Sequence, residues 1–294
     1  MAALPFSAVP EQAASGTGDF HLCWARADPE QRLGFRGGRF TCANRLLSFC
    51  VAVLATALFF GAVLGVRMRW AGLQPVCDMF LERGVAPYAT MVFFFWALAM
   101  LYFKNAKLGV QRRALRIAAV PQQPDFVLNR ETARAVLERM RGLVDDTRHF
   151  LLLNRIERGL SNLGNIGQIG DVSTILRNQS DSDEEQVASS YGLIHSFLWV
   201  IPVLGFIGTV IGLRSAIGAL GVTLRSGGDL TAIREGLQAV TAGLATKFET
   251  TLVALVCAVI IQVLLSFLQA REGEFLDECK DYCDAHVVSK LKLL

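Results

Sequence analysis

Hydroxyl side chains inside two strongly apolar segments are the residues that could do chemistry in this chain. Thr209 is the one hydroxyl in the deep part of IPVLGFIGTVIGL, and Thr250 and Thr251 lie in FETTLVAL. A hydroxyl both donates and accepts, so it can bind a carboxyl group in its ionised and protonated forms and hold water beside it. Such a threonine can instead bond back to the carbonyl four residues earlier, and that structural role stays open.

The segment around Thr209 has further features of a helix that packs closely and faces a hydrated path. Pro202 removes a backbone donor and frees a carbonyl one turn earlier. Small residues recur on the adjoining face at helical spacing: Gly205, Gly208, Gly212, Ser215, Ala216 and Ala219. Small residues let another helix approach closely, which is how helices associate in lipid. We therefore predict that Gly205, Gly208 and Gly212 form a helix-packing ridge.

The elements that must position these hydroxyls are membrane helices. Of the 294 residues, 52% are hydrophobic and 19% charged, so the chain holds more apolar sequence than one soluble core requires. Four apolar stretches approach the ~20 residues that cross a hydrocarbon core. They span 46–66, 88–103, 193–213 and 252–268. We predict an all-α, polytopic protein with four transmembrane helices in a lipid bilayer.

The sequence around these spans sets the predicted domain boundaries. Residues 1–44 hold three prolines and five glycines without periodicity and predict a disordered tail, and residues 45–103 predict the first transmembrane hairpin. Residues 104–190 hold thirteen Lys or Arg and predict a water-exposed helical domain. Residues 191–269 predict the second hairpin, and residues 270–294 an amphipathic tail helix. The positive-inside rule places the tail, the domain and the C-terminus in the cytoplasm.

Other classes of function lack support in the sequence. The net charge of +3 is small and dispersed, so no nucleic acid partner is expected. The four histidines are widely separated and no serine or cysteine motif accompanies them, so no enzyme is predicted. Cys279, Cys283 and His286 have a spacing that could ligate a metal, but they share an apolar stripe with Leu276 and Val287. We expect a packed helix there, with no metal and no cofactor.

The motif GFIGTVIG followed by FETTLVAL resembles the MotA/TolQ/ExbB proton channel family over about residues 191–268. The resemblance implies a homo-oligomeric ring, a pentamer, in the bacterial inner membrane, whose last two helices enclose a dimeric ExbD/TolR/MotB-like partner. Each partner chain would have one membrane helix bearing an aspartate, and proton binding there would drive rotation. Carried over by position, Thr209 and Thr251 would line the ion pathway, and we include the neighbouring Thr250 and Pro202.

The chain departs from the family pattern near the second threonine motif. CAVII stands where a proline often follows that threonine, and Thr246 stands where some members carry a glutamate. Glu249 is nearer, but valine and isoleucine share its helical face, so its place in the pathway is left open. A register centred on Thr241 would put Lys247 and Glu249 in the middle of the membrane, where charges are costly.

Together these features predict an ion-channel-forming subunit of an energy-transducing motor complex. Flow of protons or sodium ions would be coupled to movement of a partner with one membrane helix. Because no carboxylate of this chain lies well inside a span, the partner's aspartate is expected to carry the proton. The alternative is a membrane scaffold that packs its helices in the same way and conducts nothing. Swimming, uptake, protein transport and defence would look alike at this level.

Overall fold

The computed structural model describes residues 22–35, 37–38, 40–82, 84–117, 119–121, 123, 126–161, 169–225 and 230–292. Within these ranges the chain forms helices and no β-strand, as predicted. The α-helices are α1 Trp24–Ala27, α2 Pro29–Arg32, α3 Arg45–Arg69, α4 Gln74–Leu81, α5 Val85–Leu115, α6 Arg130–Leu143, α7 Leu151–Ser161, α8 Ile169–Ser190, α9 Gly192–Arg225 and α10 Leu230–Cys283. A π-helical turn, Asp284–Val288, follows α10.

Four helical stretches among the described residues are long and apolar enough to cross a membrane, which confirms the four predicted spans. They are Arg45–Arg69, Val85–Leu115, Asp171–Ser215 and Phe248–Val288. The helices extend well past the predicted spans. The 54 residues of α10 correspond to roughly 80 Å at ~1.5 Å per residue, more than twice the thickness of a hydrocarbon core.

The last two long helices pack against each other more extensively than any other pair in the described chain. Helix α5 contacts both of them, and α3 lies against α5. The side chain of Asn44 begins α3 by accepting from the backbone N–H groups of Leu46 and Leu47, which satisfies two donors at the helix start. The hairpin that carries the candidate hydroxyls is therefore held from one side by the first hairpin.

Part of the segment predicted as a disordered tail contains helices: residues 22–35, 37–38 and 40–44 are described and include α1 and α2. Residues 1–21, 36 and 39 lie outside the described residues. The ring of Trp24 is buried and stacks on His149 with 5.4 Å between ring centroids. Glu30 is fully buried and bonds to Lys107. These contacts join residues that are far apart in the sequence. Local composition and periodicity do not detect such contacts, so the sequence did not predict this structure.

The end of the chain continues α10 and packs its apolar stripe inward. The predicted stripe is buried throughout: Leu276, Cys279, Cys283, Val287 and Leu291. Across from it, Arg155 of α7 makes a buried ion pair with Asp183 of α8, with 3.0 Å between Nη2 and Oδ2. The two cysteines thus take part in helix packing around a buried ion pair.

Candidate functional site

Helices α9 and α10 approach each other closely at Gly205. A Cβ atom built at this glycine would lie 2.6 Å from the Cβ of Ala254 and 3.1 Å from the Cα of Thr251. The first distance is shorter than real Cβ contacts, so a side chain here would push the two helices apart. Gly212, two turns further along α9, is also buried.

Gly208 allows a third helix to join the same contact. A Cβ atom at Gly208 would lie 2.8 Å from the Cβ of Ala86 in α5 and 3.3 Å from the hydroxyl oxygen of Thr250 in α10. Thr250 is buried where these three helices meet. We call the group formed by Gly205, Gly208, Thr250 and Thr251 the threonine contact.

The hydroxyl of Thr251 connects the two helices directly. It donates a hydrogen bond to the carbonyl oxygen of Gly205, with 3.0 Å between the two oxygens. In a regular helix the same carbonyl accepts from the backbone N–H of Thr209, four residues later. The predicted pathway threonines thus lie close together, with Gly205 between them. Thr251 is half-buried, and its hydroxyl oxygen has lone pairs that can accept from a further partner.

The hydroxyl of Thr209 bonds within its own helix. It donates to the carbonyl oxygen of Phe206 at 2.7 Å and is half-buried. Pro202 lies inside α9, two turns before Thr209, and is also half-buried. Each hydroxyl therefore donates to a backbone carbonyl and still has lone pairs that can accept a hydrogen bond.

The remaining candidates lie on other parts of α10. Glu249 is half-buried beside Thr250 in the chain. Thr241, the centre of the alternative register, is exposed and donates back to the carbonyl oxygen of Leu237 at 3.0 Å. Within the described residues, the hydroxyl of Thr241 bonds to carbonyls of its own turn of helix, whereas that of Thr251 bonds across to α9. The geometry is therefore more distinctive at Thr251.

A polar line continues along α10 from Thr251 toward the far end of the helix. Gln262, Ser266 and Gln269 follow at helical spacing among exposed leucines and valines. The amide nitrogen of Gln262 lies 3.4 Å from the hydroxyl of Ser266, and that of Gln269 lies 3.4 Å from the ring Nε2 of His195 in α9. Exposed polar groups in a membrane span are costly against lipid, so this line requires water or another chain.

The polar line ends at a buried cluster of charges that the sequence did not reveal. Glu272 of α10 is buried, and its Oε2 lies 3.4 Å from the Nζ of Lys104 in α5. The same oxygen accepts a hydrogen bond from the hydroxyl of Tyr191, at the turn between α8 and α9. Lys104 also donates to the hydroxyl of Ser190 at 2.7 Å and lies 4.0 Å from the ring centroid of Tyr191.

A second buried ion pair adjoins this cluster. Lys107 of α5 is fully buried and donates to Glu30 at 2.5 Å and to the carbonyl oxygen of Cys42 at 2.7 Å. Asp28 lies 3.9 Å from the same ammonium group. Burial raises the pKa of the Asp28 carboxyl above its ordinary value, although Lys107 acts in the opposite direction. Together we call these residues the buried charge network: Asp28, Glu30, Lys104, Lys107, Tyr191 and Glu272.

Both clusters occur in a polytopic α-helical membrane protein, the class that the four long apolar helices define. The model of the MotA/TolQ/ExbB proton channel family matches residues 152–280, as the two threonine motifs predicted. The matched range contains all of α8 and α9 and most of α10, and it supports a membrane channel-type subunit. Proteins of this family generally oligomerise and work with a MotB/ExbD/TolR-like partner. No curated protein and no solved structure matched the chain.

Proposed function

We propose that this protein is a channel-forming subunit of a membrane motor complex that couples proton flow to movement of a partner chain. The observation that carries the proposal is the hydrogen bond from Thr251 to Gly205, which brings a hydroxyl of α10 to the α9 turn that leads to Thr209. The family match over residues 152–280 supports it. Sodium ions could follow the same path of hydroxyl oxygens.

The two hydroxyls suit a carboxyl group that gains and loses a proton. While each hydroxyl donates to its backbone carbonyl partner, that of Phe206 or of Gly205, its lone pairs can accept from a protonated carboxyl group or from water. To bind an ionised carboxylate the hydroxyl must rotate away from that carbonyl. This rotation breaks a neutral hydrogen bond worth about 1 kcal/mol and forms a hydrogen bond to a charged carboxylate worth about 1.5–3 kcal/mol. The hydroxyls can therefore hydrogen-bond to the partner's aspartate in both its protonated and its ionised state.

The proposed assembly rests on the similarity to the family. In the proposed complex, copies of this chain form a ring, a pentamer, in the bacterial inner membrane. The channel hairpin of each copy, residues 191–269, surrounds the single membrane helices of the partner. The exposed polar line through Gln262 and Ser266 suits the interior of such a ring or a contact between copies. Residues 104–190 and both termini are assigned to the cytoplasm.

A non-conducting scaffold is the second candidate, and a specific observation favours it. Both pathway hydroxyls donate to backbone carbonyls of the same chain. Thr209 does so within its own helix, as threonines in helices commonly do, and Thr251 does so across to α9. A scaffold would use the threonine contact only to hold α9 against α10. The two candidates differ in whether the hydroxyls are needed for ion flow in an assembled complex.

The test measures proton flux through the assembled complex. The complex is copurified on a tagged copy of this chain and placed in lipid vesicles that contain a pH-sensitive dye. We expect Thr209→Val with Thr251→Val to lower flux about 100-fold, since each lost bond to a charged group costs about a factor of ten or more. Thr241→Val is the matched control on α10 and should leave flux unchanged. Full flux in the assembled double variant contradicts the proposed pathway. A complex that lacks both flux and a partner with one membrane helix favours the scaffold.

A further inference from the structure

A pocket of about 290 Å³ lies between α8 and α10, at the end of the last hairpin where the polar line stops. Its polar lining comes from Glu184 of α8, from Tyr191, and from Gln269, Glu272 and Asp277 of α10. Glu184 and Asp277 are exposed, whereas Glu272 is only 1% exposed. The pocket thus leads from acidic groups at the surface to a carboxyl group in the interior.

The two oxygens of Glu272 have different surroundings. Oε2 accepts from Tyr191 and lies beside the ammonium group of Lys104. Oε1 is buried and has no hydrogen-bond partner among the residues that the structure describes. A buried carboxylate oxygen without a donor is unfavourable, because it has lost its water and gained nothing in exchange. A proton on Oε1 would remove the charge and convert that oxygen into a donor.

We propose that Glu272 is a proton-exchanging acid of this chain, which passes protons between the polar line of α9 and α10 and the water of the pocket. This inference rests on the proposed function and deepens it. It adds a carboxyl group of the subunit to a pathway whose main acid was expected to be on the partner. The residue lies 21 positions after Thr251 on one helix, which is roughly 30 Å at ~1.5 Å per residue.

The proton step involves water and Glu272 alone. A hydronium ion on the pathway side gives up one proton, so that one of its O–H bonds breaks, a new O–H bond forms on Oε1, and neutral water remains. Release to a water molecule in the pocket reverses these changes. Lys104 and Tyr191 hold Oε2 in both states and stabilise the ionised form, while the free Oε1 allows the protonated form.

The groups that surround Glu272 come from every helix packed against it. Lys104 and, beyond it, Lys107 are on α5, Glu184 is on α8, and Tyr191 precedes α9. His195 of α9 contacts Gln269, which lines the same pocket as Glu272. Asp277 is on α10 itself. Lys107 already pairs with Glu30, so Lys104 is the cation that acts directly on Glu272. The exposed carboxylates at the mouth would raise the local concentration of protons.

The test uses the copurified complex in dye-loaded vesicles, with flux measured over a range of pH. We expect Glu272→Gln, which keeps the size of the side chain, to lower proton flux about tenfold or more and to flatten its pH profile. Glu272→Asp should recover part of the flux with a shifted profile. The matched control is Glu274→Gln on the same helix. That residue is exposed and pairs with Arg112, so flux should stay within about twofold.

A second readout does not depend on flux. Infrared difference spectra between acid and neutral pH should contain a carboxyl C=O signal that disappears in Glu272→Gln and remains in Glu274→Gln. If Thr251→Val lowers flux and Glu272→Gln leaves it intact, the role of Glu272 is overturned and the proposed function stands. If Glu272→Gln lowers flux only by preventing assembly, and the infrared signal is unchanged, the residue is structural. Absence of flux in the unmodified complex overturns both proposals.

Discussion

The threonine contact and the buried charge network are separated by roughly 30 Å along α10, at ~1.5 Å per residue from Thr251 to Glu272, and they use polar groups in opposite ways. At the threonine contact, the neutral hydroxyl of Thr251 donates to a backbone carbonyl oxygen 3.0 Å away, and glycines bring the helices together. In the buried charge network, charged side chains from distant parts of the chain are buried together. Two of their carboxylate oxygens, Oδ2 of Asp28 and Oε1 of Glu272, have no hydrogen-bond partner within the described chain.

This difference shows what a neutral hydroxyl and a charged side chain each need in order to be stable inside the protein. A hydroxyl in a membrane span needs only one backbone carbonyl as a partner, in its own helix as at Thr209 or in a neighbouring helix as at Thr251, so its placement costs little free energy. A buried charge is favourable only with its partner, so a network of charges ties together every segment that contributes one. The threonine contact can therefore change with small energetic effects, whereas the buried charge network should respond strongly to the loss of any member.

The largest effect is expected from Lys107→Met. This change leaves Glu30 and Asp28 buried without their cation, and breaking a buried pair by removing one partner typically costs about 3–5 kcal/mol. Thermal unfolding of the purified protein in detergent measures the loss. The control is Arg141→Met, because the side chain of Arg141 is 67% exposed and its pair with Glu157 should be worth less than about 1 kcal/mol. Equal losses in both variants would show that the buried charge network is not distinctive.

A smaller effect is expected from Gly205→Val at the threonine contact. The Cβ atom of the new side chain would lie 2.6 Å from that of Ala254, and overpacking of this kind costs about 1–3 kcal/mol. Gly218→Val on the same helix is the matched control, because a Cβ atom there has no described neighbour within 4 Å. Unfolding midpoints of the two variants should differ. Equal midpoints would mean that α9 can move away from α10 without loss.

Thr251→Val should have a smaller effect on stability still. The change keeps the shape of the side chain and removes one neutral hydrogen bond to Gly205, which is worth about 0.5–1.5 kcal/mol. Thr251→Ser keeps the hydroxyl and should recover most of the loss. A decrease above about 3 kcal/mol in the valine variant would indicate that the hydroxyl holds a network and not one bond.

The two regions also differ in how far the sequence could predict them. The threonine contact lies within two short motifs. Helical periodicity grouped Gly205 with Gly208, while Thr251, like Thr209, was predicted as a hydroxyl inside an apolar segment and from the family resemblance. The structure adds which carbonyl each hydroxyl bonds to, because that depends on the rotation of α9 against α10. The four spans were predictable from apolar length for the same local reason.

The buried charge network could not be predicted because its members are far apart in sequence. Lys104 and Glu272 are separated by 168 positions, and Glu30 by 77 from Lys107. Each residue alone resembles an ordinary charge at the end of a span or in a polar tail, and only the packing of α5 on α10 brings them together. The one signal available was Lys104 itself, which directly follows an apolar run.

The smallest effect is expected from Asp28→Asn, and it concerns pH. Burial raises the pKa of the Asp28 carboxyl in the folded protein above its ordinary value of 3.8. The contribution of this carboxyl to the free energy of unfolding is therefore fully present below pH 3.8 and is lost as the pH rises through the raised pKa. Asparagine keeps an oxygen that can accept from the backbone N–H of Glu30, as Asp28 does, but cannot ionise. The difference in unfolding midpoint between the two proteins should therefore shift in favour of the variant from acid toward neutral pH. A difference that stays constant with pH would mean that Lys107 keeps Asp28 ionised throughout, so that the buried charge network contains two permanent ion pairs on one lysine.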